Sequence, residues 1–251
     1  MVDLEKELIK VFANRTPMVL NCGELSDGMW GEKCVGFYET VLPLFNNPDI
    51  NPHDHKLLIL TKSIEIENLL RYSMKNEVGG NIIVSWSVNA EDVSERYEKG
   101  APSPYVRLEM AKSVRMAGYR VRLRIDPMIP YPEWMDGYEK LVKRILSMVR
   151  PERITIGSLR VFPMVEPFAD KLGRDVSVFG YVTRQGDPDG RLRVPFETRL
   201  AMYRYILDMI DGKCESGLCK ETVKMHKELM RLGYGVDQRC RCNCTLRKSS
   251  K

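Results

Sequence analysis

Residues 81–89, NIIVSWSVN, constrain the fold more than any other stretch of the chain. The apolar run Ile82-Ile83-Val84 is rich in the β-branched residues that suit a strand buried on both faces. It gives way to Ser85, Ser87 and Asn89, and acidic Glu91 and Asp92 follow as in the first turn of a helix. In parallel α/β sheets, ligands sit just beyond the carboxyl ends of the strands. A strand that ends in Ser and Asn therefore reads as a binding edge. Taken alone, these side chains read better as caps of the next helix. Recurrence shifts the balance.

The same pattern returns along the chain. Met18-Val19-Leu20 runs into Asn21-Cys22-Gly23-Glu24-Leu25-Ser26-Asp27, and Leu57-Leu58-Ile59-Leu60 into Thr61-Lys62-Ser63. Val121 to Ile125 alternates with Arg120, Arg122 and Arg124, as a strand with one wet face would, and stops at Asp126-Pro127. Ile154 to Ser158 reads as a fifth strand running on towards Phe162. Helical patterns precede and separate these strands at Asp3–Ala13, Phe37–Phe45, Ile64–Tyr72, Glu91–Lys99, Tyr105–Ala117 and Trp134–Val149. Strands alternating with helices predict a parallel sheet with right-handed crossovers. Five units are too few for a closed eight-fold barrel, so the expectation is a partial TIM-like (β/α) barrel over residues 1–165. A Gly-, Asp-, Arg- and Pro-rich loop or hairpin excursion follows over 166–195, then a helical C-terminal region over 196–251 that ends in a Cys-rich tail.

Hydrophobic content of 43% and charged content of 29% are ordinary for a soluble protein, and a net charge of +5 permits a nucleic-acid partner without demanding one. No apolar run is long enough to span a bilayer, and the opening MVDLEKELIK reads as an amphipathic helix and not a secretory signal. The expectation is a cytoplasmic protein with no membrane partner. His53 and His55 flank Asp54 without a further ligand at metal-binding spacing and read as a surface loop. Seven cysteines in such a chain read as metal or redox residues before disulfides. Cys214, Cys219, Cys240, Cys242 and Cys244 are the candidate metal ligands, for zinc or an iron–sulfur cluster. The alternative is a set of free thiols. Arg239, Arg241, Arg247 and Lys248 beside them would favour thiolates or touch nucleic acid.

Taken in order, the strand ends resemble those of the spore photoproduct lyase-like branch of the radical S-adenosylmethionine enzymes. The likeness rests on Asn21 to Asp27, Leu60 to Ser63 and Val84 to Asn89. It continues through Ala117-Gly118-Tyr119, Arg124 to Pro127, Gly157 to Arg160, and the tail segments Leu218 to Thr222 and Cys240 to Cys244. The resemblance implies a partial (β/α)6 barrel with S-adenosylmethionine across the strand ends. By position, Gly23-Glu24 would meet the methionyl amino group with Ser26 beside it. Lys62 would meet the carboxylate, and Ser87 with Asn89 the carboxylate or ribose. A carboxylate for an ammonium, a Lys for a carboxylate and short polar groups for hydroxyls are sound pairings. The family's hydrogen-donor cysteine falls near Cys22 but aligns with Glu24, so that role is not carried to Cys22.

One departure is large. The family holds a [4Fe–4S] cluster on C-x3-C-x2-C after its first strand, and the sequence contains no such motif. The expected first βα unit is missing from the barrel. The chain thus reads as a fragment, as one subunit of a split radical lyase whose partner polypeptide supplies the cluster, or as a protein that has lost the chemistry. Alone, it is not expected to cleave S-adenosylmethionine reductively. The competing reading is a non-catalytic module, stapled by a tail metal, that binds nucleic acid or a protein.

Overall fold

In the computed structural model, residues 3–23, 26–183, 186–187 and 189–235 are described. Asp3 caps helix α1 (Leu4–Phe12) by accepting from the Lys6 N–H. Strand β1 (Val19–Cys22), the single turn α2 (Glu32–Val35) and α3 (Phe37–Asn46) follow. Next come β2 (Lys56–Thr61), α4 (Glu67–Lys75), β3 (Ile82–Ser87), α5 (Glu91–Tyr97), α6 (Pro104–Met116), β4 (Arg120–Met128), α7 (Trp134–Met148) and β5 (Arg153–Ser158). The excursion carries β6 (Arg160–Val161), α8 (Val165–Lys171) and β7 (Leu192–Arg193), with β7 antiparallel to β6. The chain then forms α9 (Phe196–Ile210), β8 (Glu215–Leu218) and α10 (Val223–Arg231).

Six strands form one parallel sheet in the order β1-β2-β3-β4-β5-β8. The register explains why it is barrel-like and not doubly wound. Ile59 lies beside Val84, Val84 beside Val121, Leu123 beside Ile154, and Ile156 beside Leu218. All of these residues belong to the apolar core that the helices cover. The alternate residues, Asn21, Ser85, Ser87, Arg122, Arg124, Arg153 and Thr155, fall on the opposite, inner face because strand side chains alternate. Helices thus cover one face only, as in a (β/α) barrel. Burying both faces of β3 was expected, and all six of its residues are buried.

Three expectations change. The sheet has a sixth strand, β8, drawn from the segment that reads as helical tail; Glu-Ser-Gly-Leu carries no β-branched run, and pairing with β5 decides its state. The arginines of β4 are not on a wet face. Arg122 pairs with Glu152, which also takes Arg120 at 2.7 Å, and Arg124 is 9% exposed. His55 is not on the surface but fully buried, with Met18 N–H donating to its Nδ1 at 3.2 Å and its Nε2 donating to Asn14 O at 2.9 Å. It ties the loop after α1 to the loop before β2. Among the described residues no helix is long and apolar enough to cross a membrane.

Candidate functional site

At the carboxyl ends of β1 to β4, on the inner face, lies a cleft of about 350 Å³. Two glycines let its first wall form. A Cβ on Gly23, whose φ is +110°, would run into the Leu60 carbonyl oxygen, and one on Gly28 would stand 2.6 Å from the Cys22 oxygen. Gly28 N–H donates to Leu60 O at 2.8 Å, which presses the loop after β1 onto β2. Asp27 pins the same loop: Met29 N–H at 2.9 Å, Thr61 Oγ1 at 2.6 Å and Lys62 N–H at 2.6 Å all donate to its carboxylate.

Four of the six residues singled out as cofactor ligands line this cleft: Gly23, Ser26, Lys62 and Ser87. Glu24 lies outside the described residues. Asn89 does not join them. It is 1% exposed and borders a separate recess. Its amide donates to Pro127 O at 2.8 Å, while its Oδ1 accepts from Ala90 N–H at 3.0 Å and the Tyr138 hydroxyl at 2.9 Å. Those bonds engage the side chain in holding the end of β3.

Lys62 is held at the rim by Glu98 at 2.8 Å, and the buried Arg107 holds the other Glu98 oxygen at 2.6 Å. Burial pushes the Glu98 carboxyl up, but the Lys62 ammonium and Arg107 guanidinium outweigh it and leave the carboxyl below its usual range. Lys62 is 37% exposed and has three donor protons, so Glu98 leaves it capacity for a second anion.

The floor came from residues the spacing did not single out as ligands, Arg124 and Asp126. Arg160 donates to both Asp126 oxygens, at 2.8 and 3.0 Å, and its Nη2 reaches the Cys219 sulfur at 3.3 Å. Burial raises the Asp126 carboxyl, and the Arg160 guanidinium more than reverses that. Gly157 makes room for the pair, since a Cβ there would strike the Asp126 carboxylate. The alternation Arg120, Arg122, Arg124 and the strand-end Asp126 were the signals for this floor. They needed the inner face to be read as a lumen.

Cysteine geometry is less accommodating. Cys22 packs against the helix-covered core, away from the cleft, and its thiol is pushed up by burial, partly offset by Tyr38. Cys214 and Cys219 flank β8 at opposite ends, which sets them roughly 16 Å apart at about 3.3 Å per residue. An ion held by one of them would not reach the other across that span. Cys240, Cys242 and Cys244 lie outside the described residues. Among the described residues no three His, Cys, Asp or Glu side chains converge as a metal site, and the thiols there do not fit a three-thiolate cluster cradle.

Comparisons with known proteins converge on one family. The spore photoproduct lyase family model matches residues 50–160. A curated spore photoproduct lyase of Clostridium acetobutylicum is 24% identical over 120 residues, which is 48% of this chain and 33% of the relative. A solved spore photoproduct lyase variant with bound AdoMet and dinucleoside spore photoproduct has a TM-score of 0.67 at 15% identity, covering 84% of this chain and 63% of that one. A spore photoproduct lyase complexed with dinucleoside spore photoproduct gives the same TM-score and coverage. The chain thus spans about a third of the curated relative and under two thirds of the solved chains, and the shared fold is the partial barrel.

Proposed function

The chain is spore photoproduct lyase-like, matched by that family over residues 50–160, and from this premise we propose that its strand-end cleft binds S-adenosylmethionine. The convergence of Gly23, Ser26, Lys62 and Ser87 on one cleft of about 350 Å³ carries the reading. The volume is at the lower end of the roughly 300–1,000 Å³ usual for small-molecule sites. Lys62, shared with Glu98, takes the ligand's carboxylate, and Ser87 takes a ribose hydroxyl. On the same resemblance, Gly23-Glu24 would meet the amino group. Bound AdoMet in a solved relative supports the same ligand here.

In the radical enzymes a [4Fe–4S] cluster supplies the electron that cleaves this cofactor. This sequence offers no C-x3-C-x2-C motif to hold one, and its described thiols do not fit one. The chain acts as the cofactor-binding barrel of a radical lyase whose cluster segment is carried elsewhere, as a fragment or a split subunit. A second reading, a non-catalytic module docking nucleic acid, draws support from the dinucleoside bound by relatives and from the Cys–Arg sequence at 239–247.

Calorimetric titration of the full chain with S-adenosylmethionine decides between them. Binding that weakens by at least about tenfold in Lys62→Ala, the loss expected for a charge-assisted contact, supports the cofactor site. No heat with the wild type, with or without a cluster-bearing segment in trans, overturns it. Salt-sensitive gel shifts with single-stranded DNA would then favour the second reading.

A further inference from the structure

The excursion after β5 presents apolar surface where the rest of the chain buries it. Among the described helices α8 alone has no buried residue. Phe162, Met164, Val165, Phe168 and Leu172, five of the eleven residues from 162 to 172, are 42% to 71% exposed.

α8 is nonetheless a well-defined helix. Val165 N–H donates to Phe162 O at 3.0 Å, and Pro167 stands in the first turn, where its missing N–H leaves no bond unmade. The far end is closed at Gly173, with a φ of +63° and its N–H on Asp170 O at 2.8 Å, and by Arg174 N–H on Ala169 O at 2.9 Å. The segment is anchored as well: β6 before it pairs with β7, and Asp175 beyond it takes Arg96 of α5 at 2.7 Å. A seven-residue helix is marginal in water by itself, and helices in proteins draw most of their stability from packing an apolar face. The apolar face of α8 stays open among the described residues.

At 3.6 residues per turn, Met164, Val165, Phe168 and Leu172 fall within an arc of about 100°, with Glu166 and Asp170 on the far side. Met164, Phe168 and Leu172 follow at four-residue spacing, the ridge by which helices commonly pack. This ridge reads alike from either end: an apolar chain, a ring, an apolar chain. A surface symmetric about its centre is complementary to its own copy turned over. If each of the five side chains offers on the order of 100 Å², two such surfaces cover about 1,000 Å², the lower bound for a specific interface. We infer that this ridge is a self-association surface, on which α8 of a second copy of the chain packs antiparallel about a twofold axis at Phe168. The two Phe168 rings meet at the centre, and Met164 of each copy meets Leu172 of the other. Glu166 and Asp170 lie off the contact, so pairing brings no carboxylates face to face. This association does not rest on the cofactor reading of the strand-end cleft.

Sedimentation of the full chain from about 1 to about 200 µM tests it, since an interface at this lower bound associates in the micromolar range or more weakly. The average mass should rise with concentration from that of one chain toward that of two. Phe168→Asp should raise the dissociation constant by at least about tenfold and leave the unfolding midpoint of a dilute solution unchanged. Met164→Lys and Leu172→Glu should each weaken association, and the two together in one chain should restore part of it, because they meet across the twofold axis. A single-chain mass at every concentration overturns the surface, as does a dimer indifferent to Phe168→Asp. A fall in the dilute midpoint of that variant would show that Phe168 packs within its own chain, with the same consequence. Loss without recovery in the double variant overturns the antiparallel register. Salt-sensitive binding of single-stranded DNA by a chain that stays single, abolished by Phe168→Asp, would assign the ridge to nucleic acid instead.

Discussion

The two faces of the parallel sheet are made by the same strands and obey different rules. On β4, Val121, Leu123 and Ile125 enter the helix-covered core, while Arg122, Arg124 and Asp126 enter the lumen. Both faces are largely buried, but only the outer one is held by apolar packing. The inner face is held by paired charges: Arg122 with Glu152, Arg153 with Glu215 at 2.6 Å, and Arg160 with Asp126. The outer face therefore fixes the fold, and the inner face fixes where charge stands beside the cleft.

The sharpest way to break that division is to truncate one residue on each face. Trp86 is fully buried on the outer face, with its indole N–H donating to Ser63 O at 3.0 Å. Trp86→Ala should cost about 3–5 kcal/mol in denaturant unfolding. Asp126→Ala, on the inner face, should cost about 3 kcal/mol, because it strands the buried Arg160 charge rather than opening a cavity. The mechanisms separate in the double variant. Adding Arg160→Met should recover most of the Asp126→Ala loss, whereas no second truncation rescues Trp86→Ala. Failure of that rescue would mean that the inner face also rests on packing.

Gly157→Ala tests the same pair from its neighbour. The new methyl would strike the Asp126 carboxylate, so a loss of about 1–3 kcal/mol is expected from overpacking. In an Asp126→Ala background the penalty should largely vanish, which a double-mutant cycle reads directly.

Acid should separate the faces without mutation. The folded Asp126 and Glu98 carboxyls lie below their ordinary values of 3.8 and 4.5. Each contributes stability that is fully present above its ordinary value and is lost as pH falls through the lower folded value. Unfolding free energy should hold from neutral pH to about 5 and decline below about 4.5. Asp126→Asn should flatten the lower part of that decline. An identical profile in the variant would remove Asp126 from the account.

Much of this division was legible in the chain. Apolar runs such as Ile82-Ile83-Val84, each followed by polar residues, gave the strands and put four of six ligand candidates on one cleft. Two things were not legible. The period-two arginines of β4 look the same whether their face meets water or a lumen, because alternation reports which residues share a face and not what lies opposite. Four-residue β8 has no propensity signal, and only its partner β5 makes it a strand. That Asn89 stands apart from the other candidates has a related reason: a polar residue at a strand end can serve a ligand or the backbone, and its Tyr138 and Pro127 contacts lie 49 and 38 residues away.

Asn21 gives the smallest effect and the most direct comparison of the faces. It sits on the inner face of β1 beside Leu58, and among the described residues both its amide nitrogen and its oxygen are buried without a hydrogen-bond partner. On the helix-covered face, removing a side chain should always cost stability. Here the folded state already bears the desolvation of an unsatisfied amide. Asn21→Leu, close in shape and without polar atoms, should therefore be neutral or stabilise by up to about 1 kcal/mol. The sign matters more than the size. A gain in thermal or denaturant midpoint would show that the inner face keeps a polar group at the expense of stability, as surfaces that meet a ligand do. A loss above about 1 kcal/mol would mean that the amide has a partner in the folded protein, and that this part of the inner face is structural after all.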